Sequence, residues 1–350
     1  IINTGDEGKM LKVGLIGIGF MGRGHLENYI KLESEGFPLK LVAICDIDPE
    51  KFENKFTPGN IKIGEKKFDF SKYRLYTSID KMLENEKLDY VDIALPTYLH
   101  SQATVKALNA GINVLCEKPM ALNLEQCQAM IDAAKKNNKK LMIGHCLRFW
   151  PAYEYAKELI DSKKYGDVIE AYFFRGGNTP KWSYQNWYLQ KDKSGGVLLD
   201  QHIHDIDVVN WFFGLPHAVS TISTNILPTT GYDVVSTRYF FNDKKILTAE
   251  DDWLLNGEFP FEMRYRINFE KGNLIFEKGQ LKVTPNEGKP FIPELSNENA
   301  YYKEIKYFAN AVLNDLPIEV CPPSSSMETI KIALAEMESA DNKGKTVNLI

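Results

Sequence analysis

Along its first 145 residues the chain alternates short apolar runs with amphipathic stretches. The runs are Lys12–Ile16, Lys40–Cys45, Tyr90–Leu95, Asn113–Cys116 and Lys140–Ile143, with a weaker one at Arg74–Tyr76. Continuous apolar runs separated by helical patterns predict parallel strands buried on both faces. Asn123 can cap the helix between the last two runs, with Gln126 completing a capping box and Leu122 and Cys127 forming a staple. The helix before it is expected to start near Ser101 and to stop at Gly111, a C′ glycine. The pattern predicts an α/β fold whose N-terminal part, residues 10–145, is a doubly wound Rossmann domain with a parallel sheet.

Beyond residue 145 the pattern changes. Candidate strands crowd together at Val168–Arg175, Ala218–Ile226, Val235–Phe241, Lys245–Trp253, Phe261–Phe269, Asn273–Phe276 and Gln280–Val283. Short turns such as Asn242–Asp243 and Lys271–Gly272 join many of them, which predicts a mostly antiparallel sheet in a second α/β domain, residues 146–350. Helices are expected at about 150–162, 203–213, 299–314 and 325–340, the last packing back on the Rossmann domain. Tyr301, Ile305, Phe308 and Val312 form a core-facing stripe on the third of these. The chain shows no internal repeat and no low-complexity tract.

Composition narrows the function classes. The length of 350 residues suits two domains, and 44% apolar and 25% charged residues are those of an ordinary globular protein. The net charge is −5 and the basic residues are scattered, which argues against nucleic acid and against a polybasic membrane patch. No run reaches the roughly 18 apolar residues of a spanning helix. The five cysteines lack disulfide or metal-ligand spacing and read as buried thiols in a reducing compartment. Residues 1–9 lack the apolar core of a signal peptide and read as a disordered or appended extension, with the cytoplasm as the default location.

Three motifs carry candidate chemistry. Gly17, Gly19 and Gly22 have G-x-G-x-x-G spacing, and the motif follows a strand-like run and opens a helical pattern. Gly17 permits the tight turn, Gly19 lets backbone approach a pyrophosphate, and Gly22 lets helix and strand pack closely. The helix start, with Phe20 and Met21, offers unpaired N–H groups and a positive dipole to phosphates. Asp46 closes the second run, where an acid can accept from an adenosine ribose and repel a 2′-phosphate. No arginine lies within Asp46–Glu50, so NAD is favoured over NADP.

The second motif is Glu117-Lys118-Pro119, directly after a buried run at the C-terminal sheet edge, where ligands of open α/β sheets bind. The third is Gly195-Gly196 followed by Asp200 and His204, whose four-residue spacing puts both on one face if a helix begins there. His202 and Asp205 point to other faces and suit structural roles.

Together these elements resemble the glucose–fructose oxidoreductase / inositol dehydrogenase (Gfo/Idh/MocA) family. The likeness covers nearly the whole chain: Gly17–Gly22, Asp46, Leu95-Pro96-Thr97 with His100, Glu117-Lys118-Pro119, Arg148, and Asp200-x-x-x-His204. The resemblance implies a Rossmann domain followed by an α/β domain with a large open antiparallel sheet. It also implies a homodimer or homotetramer built through that sheet, and a small-molecule substrate bound between the domains. Lys118, Asp200 and His204 match the family's catalytic residues. Pro96, Thr97 and His100 match the segment beside the nicotinamide ribose, and Glu117, Lys118, Arg148 and Trp187 join the expected cofactor contacts. Two departures stand out: Tyr98 where many members have asparagine, and a long connection at Phe56–Lys72.

The implied reaction is hydride transfer between NAD and a secondary hydroxyl of a cyclic polyol, sugar or glycoside. His204 would act as base, Lys118 would hold the reacting oxygen, and Asp200 would bind a neighbouring hydroxyl, with no metal required. Phe149, Trp150, Tyr153, Trp182, Tyr184 and Trp187 concentrate aromatic surface ahead of the Asp–His segment. Of these, Tyr153, Trp182 and Trp187 are taken as substrate contacts with Asp200 and His204. Two other classes compete: a glycosidase that uses NAD transiently, and a non-catalytic NAD-binding sugar sensor. Retention of Lys118, Asp200 and His204 argues against the sensor, which needs no general base.

Overall fold

The six apolar runs of the first part form one parallel sheet in a computed structural model that describes residues 9–349. Apart from Lys9, the expected extension at 1–9 lies outside the described residues. The elements run β1 (Leu11–Ile16), α1 (Phe20–Ser34), β2 (Leu39–Cys45), β3 (Arg74–Tyr76), α2 (Ile79–Asn85), β4 (Tyr90–Ile93), α3 (Thr97–Asn109), β5 (Asn113–Glu117), α4 (Leu124–Lys136) and β6 (Leu141–Gly144). The strand order is β3-β2-β1-β4-β5-β6, so the order reverses between β1 and β4, the switch point at which doubly wound sheets bind ligands. Every residue of β4 and β6 is buried, as strands covered on both faces require.

The second part contributes α5 (Pro151–Ser162), β7 (Val168–Gly176), α6 (Lys191–Ser194), α7 (Gly196–Asp200), α8 (Ile203–Phe213), β8 (Ala218–Thr224), β9 (Val234–Phe240), β10 (Ile246–Asp252), β11 (Glu262–Phe269), β12 (Gly272–Glu277), β13 (Gln280–Pro285), α9 (Ala300–Leu313), α10 (Pro323–Asp341) and β14 (Val347–Asn348). Its eight-stranded sheet has the order β13-β12-β11-β7-β10-β9-β8-β14. It is mostly antiparallel, with β10 and β7 parallel. One face buries Phe173, Leu247, Ala249 and Ile267 in a core shared with Val208 and Phe212 of α8. The other is open and carries Ile222 and Ile246, both exposed.

The last two long helices tie the parts together. On α9, Tyr302, Ile305 and Phe308 join Leu11, Val13 and Leu15 of β1 and Leu26 of α1 in one apolar cluster. α10 lies against α4 and β6 as well as β8 and α8. The Rossmann sheet is thus covered partly by residues far downstream.

Local differences from the sequence pattern have physical causes. α3 begins at Thr97, not near Ser101, because Pro96 holds φ at −57° and the helix starts directly from the strand end. Asn123 accepts the Gln126 N–H at 2.9 Å as expected, but the Gln126 side chain reaches back to the Leu122 N–H, one residue before the cap. The proposed single helix through Asp200 and His204 is two: α7 ends at Asp200 and α8 starts at Ile203. Between them Gln201 is drawn aside, its side chain donating to Asp251 at 2.6 Å and accepting from the Trp253 indole at 3.3 Å. All five cysteines are buried and free. Among the described residues no helix is long and apolar enough to cross a membrane.

Candidate active site

A cleft of about 1520 Å³ opens at the C-terminal edge of the parallel sheet. It exceeds the roughly 300–1,000 Å³ of a site for one drug-sized molecule, so a dinucleotide and a second molecule can share it. At one end lies the glycine turn. Gly17 has φ +94°, and a Cβ there would stand 2.5 Å from the Ala94 carbonyl. A Cβ on Gly22 would stand 1.9 Å from the Gly17 carbonyl, so only glycine lets α1 meet the turn so closely. Gly19 differs: a Cβ there would meet nothing within 4 Å, because that side faces the open cleft. This leaves free approach to the start of α1, whose first N–H groups have no partner in the preceding turn. The residues present therefore fit a dinucleotide diphosphate.

Asp46 lines the same end and does more than the sequence suggested. One oxygen accepts the Ile18 N–H at 2.8 Å, which braces the glycine turn, and the other accepts the Asp48 N–H at 2.9 Å. Lys51 pairs with the carboxylate at 3.1 Å. The long connection 56–72 folds over α1: Phe56 and Phe68 flank the Arg23 guanidinium, which donates to the Gly64 and Lys66 carbonyls. Phe56, Thr57, Asn60 and Ile61 thereby reach the cleft wall near Phe20 and Met21.

Across the switch point, Pro96, Thr97 and Tyr98 line the cleft at the start of α3. His100 does not. It is buried, with its ring nitrogens 2.8 Å from the Pro119 carbonyl and 2.7 Å from the Leu95 carbonyl, and burial lowers its pKa. A neutral ring has one proton and donates to one of the two carbonyls at a time, so it is spent between the loops after β4 and β5 rather than touching a cofactor. Arg148, expected at the cofactor, is also elsewhere. Its guanidinium is 3% exposed, donates twice to Asp207 at 2.9 and 2.8 Å, and also bonds the Val320 carbonyl and Ser325 Oγ. A charge so deeply desolvated must spend its donors on protein partners. Tyr153, expected at the substrate, is core: its ring sits 5.0 Å from that of Tyr265 and 5.9 Å from that of Phe276.

The loop after β5 and the junction of α7 and α8 supply the titratable set. Lys118 Nζ donates to the Asp200 carbonyl at 2.5 Å and stands 3.6 Å from Asp200 Oδ1. Burial raises the Asp200 pKa, and the charge of Glu117 adds to the rise while Lys118 opposes it. His204 is pulled well below its ordinary 6.5 by burial and by the positive charges of Lys118 and Arg175, so its imidazole is neutral at pH 7. Its Nδ1 makes no hydrogen bond among the described residues.

Beneath Lys118, Glu117 accepts the Lys118 N–H at 3.1 Å and stands 2.9 Å from His25 Nε2. His25 Nδ1 is 2.8 Å from Asp92, which also accepts the Tyr29 hydroxyl at 2.9 Å. Burial alone would depress the His25 pKa, but the flanking acids Asp92 and Glu117 lift it well above 6.5. The imidazolium then donates to both carboxylates and holds the strand ends of β4 and β5 against α1.

The segment 182–188 arches over the glycine turn. Trp182 meets Phe20 edge-on at 6.4 Å, and the Lys51 ammonium lies 5.3 Å over the Tyr184 ring. Trp182 and Trp187 both face the cleft, as do Tyr188, Arg175, Gln201, Tyr301 and Phe259–Met263, which sequence reasoning did not select. Lys51, five residues after Asp46, was the one missed group with a sequence signal. The rest come from distant loops whose convergence no local pattern announces.

The glycine turn and the lysine–histidine pair open into one cleft, and that places the chain in the class of dinucleotide-dependent oxidoreductases. Comparison narrows the class. The chain belongs to the Gfo/Idh/MocA family: residues 11–145 match its model of an oxidoreductase family with an NAD-binding Rossmann fold, and residues 153–275 match its C-terminal domain. An uncharacterized oxidoreductase of Streptococcus pneumoniae is 32% identical over 83% of this chain and 76% of its own length. The 2,7-anhydro-N-acetylneuraminate hydratase of Escherichia coli is 30% identical over 62% of this chain, which spans 54% of that protein. A solved levoglucosan dehydrogenase, in complex with NADH and levoglucosan, shares the fold with a TM-score of 0.81 at 22% identity, covering 97% of this chain and 99% of the other. The chain is therefore an NAD-binding oxidoreductase of this family.

Proposed function

We propose that the chain oxidises a secondary hydroxyl of a cyclic polyol, sugar or glycoside, with Lys118, Asp200 and His204 as its catalytic residues. The observation that carries this reading is that Lys118, the Asp200 carboxyl and a neutral His204 line one cleft with the glycine turn. NAD, held by Gly17–Gly22 and Asp46, supplies the hydride acceptor. His204 takes the hydroxyl proton, for which a neutral imidazole is the competent form. Lys118 holds the same oxygen and stabilises the negative charge that develops on it. Asp200 accepts from an adjacent hydroxyl and keeps the lysine in place. The aromatic wall of Trp182 and Trp187 suits the apolar face of a sugar ring. The names of two relatives add anhydro sugars, including levoglucosan, to the candidates.

A second reading rests on the hydratase relative, since hydration leaves a cofactor's redox state unchanged. In that case the hydroxyl is oxidised transiently and reduced again within one cycle. For assembly, the open face of the eight-stranded sheet, with Ile222 and Ile246 exposed, supports a homodimer or homotetramer. The deciding experiment is a panel of inositols, hexoses, anhydro sugars and glycosides with NAD and with NADP. Steady NADH growth supports the dehydrogenase, product without NADH growth supports the redox-neutral cycle, and no turnover with any member rejects both.

A further inference from the structure

We propose that Tyr188 is a fourth polar group of the reacting centre, donating its phenolic hydrogen bond to a substrate oxygen beside Lys118 and Asp200. The inference builds on the function proposed above.

Three observations converge on this side chain. Its backbone is pinned at both ends: the Tyr188 N–H donates to Ser183 Oγ at 3.2 Å, and its carbonyl accepts from Ser194 Oγ at 2.7 Å. Its ring is held between two indoles, 4.2 Å from Trp187 and 6.2 Å, edge-on, from Trp182. The phenol is thus aimed by its surroundings and does not wander with the loop. Second, it lies on the wall of the cleft that holds Lys118, Asp200 and His204. Burial, with the charges of Asp200 and Glu117, keeps the phenol protonated well above pH 10. It is a donor at every working pH.

Third, the hydroxyl is unspent. Tyr29 gives its proton to Asp92, Tyr172 to Glu250, Tyr232 to Asp341 and Tyr265 to the Ala152 carbonyl. The Tyr188 hydroxyl makes no hydrogen bond to any described residue. Tyr188 is partly buried on the cleft wall, so a ligand there can take the bond that no described protein group uses. A polyol in the cleft offers oxygens in the right place, next to the hydroxyl that Lys118 and His204 engage. Such a contact discriminates among sugars, because a substrate lacking the matching oxygen leaves the phenol unpaired again.

Tyr188→Phe is the test, since it removes only the hydroxyl and keeps the ring between Trp182 and Trp187. Because no protein bond is lost, Tm is expected to stay unchanged. With the best substrate of the panel, kcat/KM is expected to fall about tenfold to a hundredfold while the Kd for NAD does not move. A deoxy analogue missing the contacted oxygen is expected to lose activity with the natural enzyme and little more with Tyr188→Phe, the signature of two groups that meet. Unchanged kcat/KM on every accepted substrate, or equal deoxy losses in both proteins, overturns the proposal. If the natural enzyme turns over no polyol, the function reading fails by itself. Tyr188 is then judged by titrating the same sugars into the enzyme–NADH complex and following tryptophan fluorescence. Weaker binding by the phenylalanine variant supports the contact, while equal affinity, or no binding to either protein, overturns it.

Discussion

Lys118 holds Asp200 twice, donating to its backbone carbonyl at 2.5 Å and standing 3.6 Å from its carboxylate. The lysine comes from the strand edge of the nucleotide domain and the aspartate from the end of α7, so one contact fixes the two halves of the cleft. Removing the ammonium should therefore cost both charge and geometry. A charge pair about 4 Å apart is worth on the order of 4 kcal/mol at an effective dielectric of about 20, a ceiling near a thousandfold in rate. Lys118→Ala and His204→Ala are each expected to lower kcat by orders of magnitude with the Kd for NAD little changed. Stopped-flow rates and a fluorescence titration of NADH check this, and near-normal turnover in either variant removes that residue from the mechanism.

The acid side of the pH profile reports on His204. Burial first, and then the charges of Lys118 and Arg175, lower its pKa well below 6.5. The base must be unprotonated to accept the hydroxyl proton, and a lowered pKa keeps it so down to lower pH. The acid limb of kcat/KM for oxidation is thus expected below pH 6.5, with a plateau through neutrality. A limb at or above 6.5 would show that another group is the base or that the cleft does not depress this imidazole.

Arg148 is expected to act on stability and not on cofactor affinity. Its guanidinium and Asp207 are both buried, and truncating one partner leaves the other charge stranded. Arg148→Leu should destabilise the fold by about 3–5 kcal/mol, read from urea midpoints, while the NAD affinity of the remaining folded protein stays within about twofold. A variant of normal stability with weakened NAD binding would restore the cofactor role that the family resemblance suggested.

How far the sequence could be read follows from where each signal lives. Buried parallel strands announce themselves as continuous apolar runs, and the glycine turn through spacing next to a strand, because both depend on near neighbours. The fate of Arg148 and His100 depended on partners such as Asp207 and the Pro119 carbonyl, 59 and 19 residues away, and nothing local separates a cofactor arginine from a buried strut. The break between Asp200 and His204 has the same origin, since the groups that draw Gln201 aside come from the end of β10 and the residue after it. Tyr188 was passed over for a further reason. An aromatic beside two tryptophans reads as packing, and only its place on the cleft wall together with a hydroxyl free of described partners distinguishes it.

Cofactor choice turns on Asp46. Its carboxylate braces the Ile18 N–H and neutralises Lys51, and a ribose would use the lone pairs that remain. Asp46→Ser removes the repulsion of a 2′-phosphate and frees the Lys51 ammonium to meet one. NAD is expected to bind about tenfold to a hundredfold more weakly, and the NADP-to-NAD ratio of kcat/KM to rise by more than tenfold. An unchanged ratio would mean that the acid serves only to hold the turn.

Glu304 offers a test of the buried network beneath Lys118. It is fully buried on α9, faces Glu117, His25 and Asp92, and neither of its oxygens is hydrogen-bonded among the described residues. Burial first, then the charge of Glu117 and more weakly that of Asp92, push its pKa well above the carboxylate range, with His25 pulling the other way. A carboxyl raised in this way binds its proton more tightly in the folded state than in the unfolded one. The stability it contributes is fully present below the unfolded value and is lost as pH climbs from there through the folded value. Gln at this position keeps the shape of the neutral acid and does not titrate. Glu304→Gln is therefore expected to match the natural chain near pH 4 and to exceed it increasingly toward about pH 8, measured as urea midpoints across that range. Parallel pH dependences in the two proteins would mean that Glu304 is already ionised in the fold, and that an additional positive partner must lie against it.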